Sequence, residues 1–168
     1  MLHGWALVAQ GHNAQGLAQL QQGLTAMQAI GMEVGRPDGL ARLAAAYGMG
    51  GQPEAGLQVL AEALATARTT GEGLLEPERY RLRGELVLQQ TVPDTHKAET
   101  CFQQALTIAR HQHAQSLELR AAMSLARLWQ QQGKRADAHE LLAPVYGWFT
   151  EGFDTADLQE AKVLLDLL

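Results

Sequence analysis

Residues 16–24 read Gly-Leu-Ala-Gln-Leu-Gln-Gln-Gly-Leu, and the same pattern of small and apolar residues returns three more times. The later copies begin at Gly56, Ala98 and Ala138, so the first positions are 40, 42 and 40 residues apart. Five residues ahead of each copy lies a helix breaker, in turn Gly11, Gly51, Pro93 and Gly133. A repeat of this period predicts a stacked array of helical units.

The repeated residues share one face of a helix, because positions i, i+4 and i+7 lie on the same side. Gly16, Leu20 and Gly23 form such a stripe in the first copy. Its small residues let a neighbouring helix approach closely, and its leucine fills the space between them. One helix pair offers too little surface to bury these faces, so neighbouring pairs must stack.

The breakers divide the chain into nine predicted helices. The expected ranges are 2–10, 13–30, 37–49, 53–69, 77–90, 94–112, 116–131, 135–149 and 155–167. Three of these ranges begin with a proline, which suits the first helical turn because its missing N–H has no intrahelical partner there. The eighth range contains Pro144, which we expect to kink the helix or to end it near Ala143.

Several polar and small residues predict helix ends. Asp94, Ser116 and Asp154 are candidate N-caps, since their side chains accept hydrogen bonds from the first backbone N–H groups. Gly31 and Gly71 follow predicted helices and suit a left-handed C-terminal cap. The third pair has a longer turn than the others, over residues 89–95, which accounts for the single spacing of 42.

The last predicted helix has the pattern of a cap on the array. Its apolar residues fall on one side, as Leu158, Ala161, Leu164, Leu165 and Leu168. We therefore expect one all-α domain over residues 1–168, with helix pairs at about 1–34, 35–74, 75–114 and 115–150 and a capping helix at 154–168. Because no cap precedes the first pair, we expect a C-terminal fragment of a longer protein or a partner over that pair.

Composition restricts the class of protein. The chain is 46% hydrophobic and 18% charged, which indicates a folded domain. Its formal net charge of -5 argues against extended nucleic-acid binding, which requires a surplus of lysine and arginine. The single cysteine, Cys101, excludes an intrachain disulfide. With no secretory signal and no apolar run as long as a membrane span, we expect a cytoplasmic protein without membrane contact.

The chain resembles the tetratricopeptide repeat (TPR) family over essentially its whole length. Gly4, Ala44, Gly84 and Ala126 match the small position of the first helix in each repeat, and Leu7, Tyr47 and Trp129 match the bulky position three residues later. The third repeat departs from the motif at Gln89, and all repeats exceed the usual length of 34 residues. The resemblance implies a right-handed superhelical array with a concave groove lined mainly by the first helices.

A narrower resemblance involves three stretches, residues 35–47, 80–86 and 146–158. They are similar to the C-terminal helical tail of large bacterial proteins that join an adenylate or guanylate cyclase domain, or another output domain, to a signalling ATPase module. This resemblance implies a sensing, regulatory or assembly role in a bacterial signalling protein.

No residue pattern in the chain predicts an enzyme. Residues 11–16 have the two glycines of a phosphate loop, but Leu17 follows where a lysine is required. The six histidines and Cys101 lack zinc-site spacing, so we expect neither a metal nor another cofactor. Cys101 precedes a predicted core residue and is interpreted as an inert, partly buried thiol. We predict no catalytic residues.

The TPR resemblance places candidate partner-binding residues in the groove. They are Trp5, Val8, Met49, Arg81, Glu85, Gln89, Arg120, Met123, Arg127, Gln130 and Gln131. Three arginines facing the groove together would suit an acidic or C-terminal peptide, because guanidinium groups pair well with carboxylates. The alternative is that these arginines are solvated or paired locally with Glu78, Glu85 or Glu118.

These observations favour a module that binds a protein or peptide in its groove or regulates an attached ATPase. Two alternatives stay open. One is a small-ligand sensor, which a deep polar pocket would favour over a shallow open groove. The other is self-association through the uncapped first pair, burying Leu2, Trp5 and Leu7. The aromatic residues Trp148, Phe149 and Phe153 are expected to pack the capping helix onto the fourth pair, or else to form an exposed patch for a partner.

Overall fold

The computed structural model describes residues 2–168, with the backbone alone at Leu2. This part of the chain is all-helical, with nine α-helices and no strand. The helices are α1 Leu2–Ala9, α2 Asn13–Ala29, α3 Arg36–Met49, α4 Pro53–Thr70, α5 Glu76–Leu88, α6 Thr95–His111, α7 Gln115–Gln131, α8 Arg135–Tyr146 and α9 Ala156–Leu167. The predicted all-α array is confirmed.

The helices form four hairpins that stack in chain order. Within each hairpin the two helices pack along each other, and the second helix packs on the first helix of the next hairpin. Helix α9 packs on α7 and α8, as the first helix of a fifth hairpin would. Three hairpins turn within three residues, whereas residues 89–94 join α5 to α6. This longer turn explains the spacing of 42.

Small residues occupy the closest helix contacts, as the repeat pattern predicts. Gly84 of α5 faces the ring of Phe102 on α6 so closely that an added Cβ would overlap the ring. Val87 lies three residues after Gly84 and is fully buried. The third repeat therefore keeps its bulky position, and the assignment of that position to Gln89 is wrong.

The apolar faces bury two neighbouring cores. One lies among the first two hairpins and extends to Leu86 of α5, and the other runs from Leu64 of α4 to Leu164 of α9. Leu57 of α4 packs against both. Buried apolar side chains thus follow one another along the array. None of the described helices is long and apolar enough to cross a membrane.

The helix ends agree with the predictions in part. The Asp94 carboxylate accepts a 2.9 Å hydrogen bond from the Lys97 backbone N–H, which confirms this N-cap. Ser116 and Asp154 are not N-caps: α7 begins one residue earlier, at Gln115, and Thr155 precedes α9. Neither helix has a side-chain cap, because packing on neighbouring helices outweighs capping in setting where they begin.

The chain leaves α2 and α4 through glycines, as predicted. Gly31 has φ 67° and Gly71 has φ 76°, a left-handed conformation that glycine adopts without steric cost. Of the two effects expected of Pro144, an end near Ala143 does not occur, since α8 continues to Tyr146. The Gly147 N–H bonds to the Ala143 carbonyl at 2.9 Å, so a proline this close to the helix end removes one bond without ending the helix.

Candidate binding groove

The first helices of the hairpins line one face of the array. A cavity of about 340 Å³ opens there among α1, α3, α5 and α7. Its walls combine Trp5 and leucines with charged side chains, namely Asp38, Arg42, Glu78, Arg79, Arg81 and Arg120. Four arginines against two carboxylates give this cavity a positive balance, although the chain as a whole carries a net charge of -5.

Two further cavities extend the same face toward α9. A polar cavity of about 200 Å³ shares Arg81 and Arg120 with the first and adds Arg127, Ser124 and α9 carboxylates. A third, of about 470 Å³, shares Arg127 and continues along α7 and α9 past Gln130 and Gln131. Because each cavity shares residues with the next, the three follow one another as one groove from Trp5 to Leu167.

Arg81 lies where the first two cavities meet and is held in place by its neighbours. Its guanidinium donates to both carboxylate oxygens of Glu78, at 2.8 and 2.9 Å, and to Glu85 at 3.2 Å. The buried Ser124 hydroxyl donates to Glu85 at 2.7 Å and accepts from Arg81 at 3.3 Å. The expected local pairing with Glu78 and Glu85 is therefore confirmed for this arginine.

The pKa of Arg81 is raised above its ordinary value. Burial by itself lowers the pKa, but the hydrogen bonds to Glu78 and the negative charges of Glu78, Glu85 and Asp157 more than offset burial. Arg81 is therefore a permanent cation, fixed in position within the groove.

The other two predicted groove arginines pair with the last helix. Arg120 lies 2.7 Å from Asp157, and Arg127 lies 2.9 Å from Glu160. The suggested partner Glu118 instead pairs with Arg110 at 2.7 Å. Helix α9 thus supplies the carboxylates that face these arginines, in addition to closing the core.

The remaining predicted residues are divided between the groove and other places. Gln130 and Gln131 line the third cavity, and Met123 lines the second. Glu85 belongs to the Arg81 network. Gln89 is exposed at the end of α5 beside Gly48, outside the three cavities.

Among the apolar candidates, Trp5 is half-buried in the groove wall. Met49 is exposed but lines none of the three cavities. Val8 was expected in the groove and is instead 1% exposed and packed against Gly16, so its assignment is wrong. Of the self-association candidates, Leu7 is half-buried, and the Leu2 side chain lies outside the described residues.

Arg42 is a groove residue that the sequence analysis missed. It lies two positions before the small residue Ala44, just as Ser124 lies two positions before Ala126. Both residues line groove cavities, so this shared position is the signal that could have identified Arg42. Arg42 is exposed, and no carboxylate in the described part of the chain lies within ion-pair distance of it. It is therefore a cation without a carboxylate partner in the groove wall.

Cys101 agrees with its interpretation as an inert thiol. The side chain is buried beside Phe102. Burial raises the pKa of the thiol, and the positive charges of Arg83 and Lys97 only partly oppose this effect. The thiol is therefore kept protonated and is a poor nucleophile.

The fold is similar to solved repeat structures. A protein of Podosopora anserina described as a kinesin light chain with nearly identical TPR-like repeats superposes with a TM-score of 0.71 and 20% sequence identity, covering 96% of this chain and 80% of that one. A single-substitution variant of it gives a TM-score of 0.72 and 19% identity, covering 96% and 79%. The chain therefore has the TPR-like superhelical fold. The sequence matches no protein-family model and no curated protein.

Proposed function

We propose that this chain is a non-enzymatic interaction module that binds an acidic peptide segment of a protein partner in its concave groove. The observation that carries the proposal is the continuous groove, in which Arg81, Arg120 and Arg127 link successive cavities. Over the three cavities five arginines face four carboxylates, and Arg42 is the arginine that has no carboxylate partner in the described part of the chain. This surplus attracts anionic ligands by electrostatic complementarity, in a chain of net charge -5.

The shape of the groove supports a peptide over a small ligand. Its polar cavity, at about 200 Å³, is smaller than the roughly 300–1,000 Å³ of usual small-molecule sites. The two flanking cavities, at about 340 and 470 Å³, reach that range, but they share residues with the polar cavity and form one groove with it. The larger cavities on either side of it lie in line, which suits an extended segment that contacts several helices. The sensor alternative is therefore the weaker one.

Self-association through the first hairpin also has less support. Trp5, one of its three candidate residues, belongs to the groove wall beside Asp38 and Arg42. This alternative predicts a solution mass that rises with concentration and that Leu7→Glu returns to the monomer value. A mass independent of concentration would leave the groove as the binding surface.

We further propose that helices α1–α9 act as one domain of a bacterial, cytoplasmic signalling protein. The shared packing of Leu57 with both cores supports one cooperative unit. The signalling role depends on the resemblance of residues 35–47, 80–86 and 146–158 to the tails of signalling ATPases.

The groove proposal is tested by titrating the chain with a fluorescent peptide of leucine and glutamate, about 18 residues long, which reaches across several helices when extended. Arg42→Ser and Arg120→Ser should each weaken binding about three- to tenfold, because each removes one charge-assisted contact. Arg135→Ser is the matched control, since Arg135 is exposed on α8 away from the three cavities. Equal losses in all three variants would contradict the proposal.

A further inference from the structure

A second surface lies along one edge of the array and adjoins the groove at Leu75. Four connections join each hairpin to the next helix, over residues 30–35, 71–75, 112–114 and 147–155. Because consecutive helices run in opposite directions, these connections lie together at one edge, and the turns within hairpins lie at the other. We call the four connections the loop edge.

Two hydrogen bonds and one shared cavity link the four connections of the loop edge. The Gly35 backbone N–H donates to the Glu72 carboxylate at 3.0 Å, which joins the first connection to the second. The Gln112 side-chain amide donates to the Gly73 carbonyl at 2.9 Å, which joins the second to the third. His113 and Trp148 line one cavity of about 130 Å³, which joins the third to the fourth.

The loop edge exposes most of the large apolar side chains that reach solvent. Of the ten exposed in the described part of the chain, six belong to it: Ile30, Met32, Val34, Leu74, Trp148 and Phe153. The turns at the opposite edge contribute Val92 alone. Of the three aromatic residues expected to pack the capping helix, Phe149 packs against the core that α9 shares. The Phe153 ring lies 5.9 Å from that of Tyr146 but is 47% exposed, and Trp148 is 71% exposed. Exposed apolar side chains that are concentrated on one part of a surface are typical of an interaction site.

The charge of the loop edge is the opposite of that of the groove. The four connections contain no lysine or arginine and four carboxylates, of which Glu33, Glu151 and Asp154 are exposed. The fourth, Glu72, has one oxygen buried and the other bonded to the Gly35 N–H. Of the arginines at its margins, Arg36 and Arg110 are paired with Glu62 and Glu118, whereas Arg68 lines a cavity beside Glu72 and contacts the Tyr80 hydroxyl. This edge therefore combines exposed apolar side chains with a negative potential.

We propose that the loop edge docks a cationic amphipathic segment of a protein partner, whose apolar side chains cover Val34, Leu74 and Trp148 while its lysines or arginines face the carboxylates. Charge complementarity selects this occupant over an anionic membrane surface, which the carboxylates repel. Since the groove attracts acidic segments, the two surfaces accept partners of opposite charge at the same time.

The test uses two peptides of equal length, one of leucine and lysine and one of leucine and glutamate, with the full 168-residue chain. Val34→Ser combined with Leu74→Ser, and separately Trp148→Ser, should each weaken binding of the lysine peptide about tenfold or more. Val92→Ser is the matched control, because Val92 is 82% exposed at the opposite edge. All of these side chains are exposed, and thermal melting followed by circular dichroism verifies that each variant folds.

To distinguish binding at the groove from binding at the loop edge, each variant is titrated with both peptides. Arg42→Ser should leave the lysine peptide unaffected, and the edge variants should leave the glutamate peptide unaffected. An equal loss from Val92→Ser, or no binding of the lysine peptide, would overturn the loop-edge proposal whatever the groove does. Binding of the chain to phosphatidylglycerol vesicles that is lost in Trp148→Ser would also overturn it, in favour of a membrane surface.

Discussion

The Arg79 guanidinium lies 2.6 Å from the Asp38 carboxylate, 41 residues earlier in the chain. Arg79 is 1% exposed and also donates to the Glu72 carbonyl at 2.9 Å. One side chain of α5 thus joins the second hairpin to the connection that follows it. The pair is asymmetric, because the Asp38 side chain is still 38% exposed.

This asymmetry predicts unequal costs for removing the two partners. Asp38→Asn leaves a buried, uncompensated guanidinium and should lower the free energy of unfolding by about 3–5 kcal/mol. Arg79→Met keeps most of the packing and leaves a carboxylate that water can reach, so it should cost about 1–2 kcal/mol. Urea denaturation measures both values. Asp166→Asn, at the exposed Lys162 pair, is the control and should cost less than about 1 kcal/mol. Equal losses from Asp38→Asn and Arg79→Met would refute the argument.

The contact between Gly84 and Phe102 predicts a cost for a single methyl group. Gly84→Ala places a Cβ against the Phe102 ring, which the surrounding core holds in place, and should destabilise the chain by about 1–3 kcal/mol. Denaturant unfolding gives the value. Gly73→Ala adds the same methyl group where no atom lies within 4 Å, and it should be close to neutral. If Gly84→Ala instead raises the free energy of unfolding, α5 and α6 can move apart at little cost, and the prediction is wrong.

The buried thiol predicts a loss of stability at alkaline pH. Burial raises the pKa of Cys101 above its ordinary value of 9.0, so the folded state retains this proton more strongly than the unfolded state. The resulting stability is fully present below pH 9 and is lost as the pH rises through the folded-state value. Urea denaturation from pH 8 upward should show a steeper decline in the free energy of unfolding for the wild type than for Cys101→Ala. If the two free energies fall in parallel with pH, the thiol makes no such contribution.

The ion pairs of α9 predict that its carboxylates weaken acidic ligands in the groove. Asp157→Asn combined with Glu160→Gln releases Arg120 and Arg127, and we expect affinity for the glutamate peptide to rise about threefold or more at low salt. Because both pairs are partly exposed, stability should fall by less than about 1 kcal/mol for each.

The control for that prediction removes the same charge elsewhere. Asp137→Asn with Glu140→Gln changes two exposed carboxylates of α8. If this variant raises the affinity equally, the effect is one of net charge and not of the groove. Fluorescence anisotropy at two salt concentrations measures both variants, and the gain should shrink at the higher concentration.

The helices and their order could be predicted from sequence because their signals are local. Small residues spaced by one and two helical turns, glycines at the breaks and the Asp94 cap all act within a few residues. Ser116 misled for the complementary reason, since packing on neighbouring helices outweighs its local preference as an N-cap. Pro144 does not end α8 near Ala143, because a proline so close to the helix end removes one backbone bond only.

The groove was predicted less completely than the fold. Arg81, Arg120 and Arg127 do line it, since a register shared by all first helices places them there. Arg42 was missed, and Val8 was misplaced into the groove from the core. Counting from the small residue of each first helix identifies a face only to within about one residue in each turn. This precision does not distinguish a groove residue from a neighbouring core residue.

Sequence by itself determined the repeat, the helix pairs and the faces along which they stack, because each depends on spacings within one helix or turn. Tertiary structure alone decided the partners of the charged residues. Arg79 meets Asp38 across 41 residues, and Arg120 meets Asp157 across 37. Such pairs depend on the angle and offset at which whole helices stack, which the summed packing of many side chains sets and no local pattern encodes.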